Sequence, residues 1–182
     1  CKTLWCQTMS NLRLINETTA TNSSQVNITD IFSADFDIYK FTVLVDEGTQ
    51  NDNINARLIN SSGSVVSSST YDWAGLDMNS YTTFSEVKFT NATYWYNLTQ
   101  ADLQTDDGGN FVMYVFNPFS SSSYTFMLGQ STQFFNSANY YRARKYIGVE
   151  KSTNSMTGLN FWLNNNGTPD WEIKTYGLRV DS

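Results

Sequence analysis

Apolar residues in this chain recur at every second position and almost never with helical spacing. In DFDIYKFTVLVDE (35–47), Tyr39, Phe41, Val43 and Val45 share one face, while Phe36, Ile38 and Leu44 mix with Lys40 and Thr42 on the other. That is the pattern of a strand with one buried face and one partly covered face. NINARLIN (53–60) repeats it, with Ile54, Ala56 and Leu58 facing one way and Asn55 and Arg57 the other. In NFVMYVFNP (110–118) both faces are apolar, since Phe111, Met113 and Val115 alternate with Val112, Tyr114 and Phe116. Such a run predicts a central strand packed on both sides.

Further strands are expected at 80–90, 123–129, 145–150, 157–164 and 171–180, separated by the turn signals DEGTQND, SSGS, TDDGGN, NPFSSSS and NNNGTPD. About eight to ten short strands with polar connections point to an all-β fold, an antiparallel β-sandwich of jelly-roll-like type. The first stretch differs. NETTATNSS and TNSSQVNITD are small and polar, so residues 1–34 read as an N-terminal tether or edge segment and 35–182 as the β-sandwich domain.

Composition narrows the chemistry. Of 182 residues, 20 are Asn, 21 Ser and 21 Thr, 28 are aromatic and none is His; the net charge is −6. Without His there is no His-dependent triad and no His-ligated zinc. The acidic balance without a Lys/Arg cluster argues against nucleic acid as a partner, and no apolar run reaches membrane-spanning length. Cys1 and Cys6 are either two thiols or a short local bridge. The chain starts without Met, which suggests a processed product or a part of something longer.

Carboxylates are the natural candidates for catalysis in a chain lacking His, because glycoside hydrolysis needs two of them flanking a sugar. Of Asp35, Asp37, Asp46, Glu47, Asp72, Glu86, Asp102, Asp106, Asp107, Glu150, Asp170 and Glu172, most fall at expected strand ends or in turns, the ordinary place for a solvated acid. Nothing pairs two of them, so no catalytic residue is assigned and no cofactor is implied. TDDGGN offers Asp106, Asp107 and Asn110 as oxygen ligands for calcium, but it lacks the alternating ligands and distal Glu of an EF-hand; a hairpin turn is the plainer reading. Seven NxS/T triplets begin at Asn16, Asn22, Asn27, Asn60, Asn91, Asn97 and Asn166. Chance predicts about five at this composition, so they do not by themselves indicate a glycoprotein.

Aromatics in polar context are the stronger binding signal: Tyr71 and Trp73 in STYDWAG, Tyr94, Trp95 and Tyr96 in NATYWYN, Tyr124 after the serine run, and Tyr140 in SANYYRAR. Rings beside Asn, Asp and Ser suit a saccharide, whose C–H faces stack while its hydroxyls take amide and carboxylate partners. The same rings equally suit a subunit contact.

The succession DFDIYKF, STYDWAGL, YTTFSEVKFTNAT, FVMYVFNPFSSSSYTFMLGQ, YIGVEKSTNSMTGLNFWL and WEIKTYGLRVDS resembles a β-sandwich domain that recurs in virion structural proteins of marine bacteriophages, over residues 35–182. The resemblance implies a non-enzymatic module on the virion surface, in a tail fibre, capsid fibre or decoration protein. It implies homo-oligomerisation, commonly as a homotrimer, contact with other capsid or tail proteins, and attachment to a host surface saccharide. The alternative reading is a stand-alone carbohydrate-binding module, and a glycoside hydrolase stands behind both.

Overall fold

A computed structural model describes residues 11–46, 52–101, 108–135 and 140–178. Among these residues twelve antiparallel strands make two sheets, more than the eight to ten expected. They are β1 (Leu12–Ala20), β2 (Gln25–Ile28), β3 (Ile38–Asp46), β4 (Asp52–Asn60), β5 (Tyr71–Asn79), β6 (Ser85–Ala92), β7 (Trp95–Ala101), β8 (Gly109–Phe116), β9 (Thr125–Phe135), β10 (Tyr140–Glu150), β11 (Met156–Leu163) and β12 (Asp170–Leu178). The large sheet runs β1-β12-β3-β8-β9-β10-β5-β6 and the small one β2-β11-β4-β7.

A jelly roll is embedded in that order. Pairs β1·β12, β2·β11, β3·β8 and β4·β7 nest inside one another along the chain, as they do when one long hairpin is rolled into two four-stranded sheets. The remaining strands are two hairpins, β5–β6 inserted after β4 and β9–β10 inserted after β8. Both join the large sheet beyond β8, doubling its width.

Residues 11–34 are part of this body. β1 and β2 form one edge of each sheet, Ile31 and Phe32 are buried, and the Phe32 ring packs 4.7 Å from that of Tyr39 across the expected domain boundary. Alternation decides which side chains enter the core. Tyr39, Phe41, Val43 and Val45 on β3 and Phe111, Met113 and Val115 on β8 point inward and meet Leu159 and Phe161 of β11 and Ile54, Ala56 and Leu58 of β4.

One expectation is corrected on β8. Val112, Tyr114 and Phe116 are only half-buried, because among the described residues no layer covers the outer face of the large sheet. Cross-strand registers carry a row of apolar and aromatic residues across it, interrupted by Lys40: Leu14, Tyr176, Lys40, Tyr114, Leu128 and Ile147 lie side by side on six adjacent strands.

The asparagine excess has a backbone reason. Asn22, Asn91, Asn97, Asn117 and Asn166 all have positive φ, between 48° and 60°, a region that Asn enters more readily than other non-glycine residues. Four of the seven NxS/T triplets thus begin at turn or bulge asparagines. Asn97 is 6% exposed and is followed by buried Leu98 and Thr99.

Candidate functional site

The outer face of the small sheet is made by residues whose strand neighbours point into the core. On β4, Asn53, Asn55 and Arg57 alternate with Ile54, Ala56 and Leu58; on β11, Asn160 and Trp162 alternate with Leu159, Phe161 and Leu163. Register sets Arg57 opposite Asn160 and Asn55 opposite Trp162. Trp95 enters the core, so its neighbours Tyr94 and Tyr96 turn outward beside Arg57 and Asn53.

Arg57 is the centre of this face. Its guanidinium carbon lies 4.3 Å from the Trp162 ring centre and 5.4 Å from that of Tyr94. Those two rings meet edge to face at 5.0 Å, and Nε of Arg57 donates to the Thr93 carbonyl at 3.2 Å. Two ring contacts and a backbone hydrogen bond thus hold the side chain in place. Cation–π contacts of this kind contribute about 0.5–2 kcal/mol each. Among the described residues the acids in ion pairs are Asp72, Asp77, Glu17 and Glu172, and none of them pairs with Arg57.

Amides lie beneath and beside these groups. Asn55 is fully buried beneath the rings, accepting from the Asn97 amide at 2.9 Å and donating to the Asn53 carbonyl at 3.3 Å. Asn53 donates to the Tyr96 hydroxyl at 3.3 Å, while its own side-chain oxygen is buried with no partner. Asn160 donates to Asn27 at 2.7 Å. The set holds a guanidinium, aromatic rings and amides, groups that can bind an anionic or polar ligand.

Aromatic contacts connect this face to the interior. Tyr94 lies 6.1 Å from Tyr96, Tyr96 lies 4.9 Å from Phe89, and Phe89 lies 6.1 Å from Trp73. A guanidinium, that of Arg144, also lies 5.7 Å from Trp73 on the buried side.

The seven aromatics singled out in the sequence therefore separate. Tyr71, Trp73 and Trp95 are core residues with 0–2% exposure, a correction to their reading as contact rings in loops. Tyr71 donates to the Val66 carbonyl at 3.1 Å and accepts from the Leu58 amide at 3.1 Å; burial pushes its phenol well above the ordinary tyrosine range, partly offset by that amide. Only Tyr94 and Tyr96 come together on one face. Tyr124 is exposed just before β9, and none of the described ring contacts joins it to them. Tyr140 stacks on Tyr81 at 6.3 Å, on the hairpin end of β10.

Of the calcium candidates, Asn110 is an exposed outer-face residue of β8 facing Leu44 and Thr132, while Asp106 and Asp107 lie outside the described residues, as do Cys1 and Cys6. Among the described residues, no three acids or cysteines gather into a metal-binding group. Arg57, Trp162 and Asn53 were not among the expected site residues. Their signal was present in the alternation: Arg57 sits opposite the apolar face of NINARLIN, and Trp162 sits out of phase with Leu159, Phe161 and Leu163.

No family model, curated protein or solved structure matches this chain.

Proposed function

We propose that this chain is a non-enzymatic structural module that assembles with copies of itself through the outer face of its eight-stranded sheet. The observation that carries the reading is the open apolar row of that face, where Leu14, Leu128 and Ile147 are 48%, 39% and 59% exposed on a continuous, hydrogen-bonded surface. Contiguous exposed apolar area of this kind marks interaction sites in soluble proteins.

A second copy is the occupant that size and charge favour. Eight strands about 4.8 Å apart and nine residues long span a footprint of roughly 1,000 Å², above the approximately 800 Å² per partner of a standard interface. Lys40, Lys88 and Lys145 stand on the same face as Asp72, Glu86 and Glu172, so a symmetric contact can set opposite charges against each other.

The setting comes from the sequence resemblance to marine bacteriophage virion proteins, which would place the module on a virion surface in a fibre or decoration protein, commonly as a trimer. Jelly rolls serve both as viral shell domains and as lectins, an analogy of fold that supports this reading and its alternative, a carbohydrate-binding module, without deciding between them.

Sedimentation velocity across micromolar to millimolar concentration tests the assembly. A discrete oligomer is expected, dissociating to a folded monomer in Ile147→Glu and Leu128→Glu. A wild-type monomer throughout would sink the proposal, and absence of the chain from purified virions would remove the viral setting.

A further inference from the structure

We infer that the Arg57 face of the small sheet is a binding site for a carboxylate-bearing sugar, a uronic acid unit within an acidic polysaccharide. The site lies on the sheet opposite to the proposed assembly surface, so either can fail without the other.

Three features of the face define the ligand. Arg57 is held against Trp162 and Tyr94 with its Nε committed to Thr93, which leaves the two terminal guanidinium nitrogens as a positioned fork. A planar fork of this kind matches a carboxylate, and its rotational freedom is already restricted before binding. Arg57 is half-buried, and among the described residues no acid forms an ion pair with it. A partly desolvated charge without a counter-ion gains more from an arriving anion than a fully solvated one does.

The surroundings then select a sugar over a bare anion. Trp162, Tyr94 and Tyr96 are half-buried, and their exposed parts offer ring surface to the C–H face of a pyranose. Half-buried Asn53 orients the Tyr96 hydroxyl on the same strip by donating to it at 3.3 Å. Arg57 and Asn53 are four residues apart on one strand, about 13 Å, which is room for two to three sugar units with the carboxylate at the Arg57 end. Guanidinium and rings thus share one patch over β4, with Trp162 from β11 on one side and Tyr94 and Tyr96 from the β7 side on the other.

The experiment is titration of the full chain with trigalacturonate and with its methyl ester, followed by calorimetry and by amide shifts in NMR spectra. Binding of the acid, with shifts concentrated at Arg57, Trp162 and Tyr96, and at least about tenfold weaker binding of the neutral ester are expected. Arg57→Lys should lose about tenfold, because an ammonium cannot form the two-pronged contact; Arg57→Gln should abolish the preference for acid over ester at a temperature where its circular dichroism shows it folded, the loss of the two ring contacts lowering its thermal transition. No saturable binding of the acid at millimolar concentration overturns the inference, as does equal affinity for acid and ester. Equal binding of a short peptide through its free C-terminal carboxylate would overturn the assignment to a sugar.

Discussion

Tyr146 lies so close to Gly129 on the neighbouring strand that a Cβ built on the glycine would stand 2.6 Å from the tyrosine Cζ. The missing side chain on β9 is what allows a fully buried tyrosine on β10. Gly129→Ala is expected to destabilise the fold by about 1–3 kcal/mol through overpacking. The Tyr146 hydroxyl is buried with no partner, and burial pushes its ionisation far above the ordinary range. Tyr146→Phe therefore removes an uncompensated polar atom and should leave stability unchanged or raised. Urea denaturation midpoints check both; a loss above about 2 kcal/mol in Tyr146→Phe would contradict the unpartnered hydroxyl.

Arg144 of β10 and Asp77 of β5 form a buried ion pair, with Nη2 donating to Oδ2 at 2.6 Å and Nε to Oδ1, while Nη1 donates to the Asn97 carbonyl. Arg142 approaches the same carboxylate at 3.5 Å. Asp77→Ala leaves an uncompensated cation between the sheets and should cost about 3–5 kcal/mol. The double variant Asp77→Leu/Arg144→Met should cost less than Asp77→Ala alone. Equilibrium unfolding of the three proteins decides; a double variant worse than the single would argue that the pair also packs irreplaceably.

Asp52, at the start of β4, is buried and accepts from the backbone amides of Asn164, Asn165 and Gly167 in the β11–β12 connection. A carboxylate receiving several amides holds that turn closed. Asp52→Asn keeps the shape but weakens the acceptor, and is expected to cost about 2–3 kcal/mol. Hydrogen exchange should quicken at the amides of Asn164 and Gly167 ahead of those in β3.

Two surface groups titrate away from their ordinary values. A hydrogen bond from Lys151, joined by the Asn91 amide, lowers the Asp72 carboxyl below 3.8. Its folded value lies below its unfolded one, so its stabilisation is present above about pH 4 and is lost as pH falls through the folded value. Lys174, hydrogen-bonded first to Glu172 and then to Glu17, is raised above 10.5; its contribution is present below that pH and is lost as pH rises through the folded value. NMR titration of Asp72 in Lys151→Met should move its midpoint up toward 3.8. An unmoved midpoint would assign the shift to the Asn91 amide alone.

Much of the fold was legible as alternation. β3, β4, β8, β11 and β12 all lie where apolar residues recur at every second position, because one face of each strand must meet the other sheet. β5 and the front of β10 were harder to read. In YDWAG the buried Tyr71 and Trp73 alternate with Asp and Ala, residues with little strand preference, and the polar context made core rings resemble loop rings. β1 and β2 were weak for a related reason: edge strands need only one paired side and carry few buried residues.

The chain's own pattern determined that it would be an antiparallel sandwich with one apolar face per strand, since period-two burial is a local property. The tertiary structure decided which rings reach the surface and which stay inside. Tyr71 and Tyr94 have similar sequence surroundings, yet one is sealed between the sheets and the other flanks Arg57. The difference arises from register and from the hairpins added beyond β8. Those hairpins give Trp73 and Trp95 a covered place and leave the far side of the large sheet open. Such pairings join residues tens of positions apart, and no local pattern encodes them.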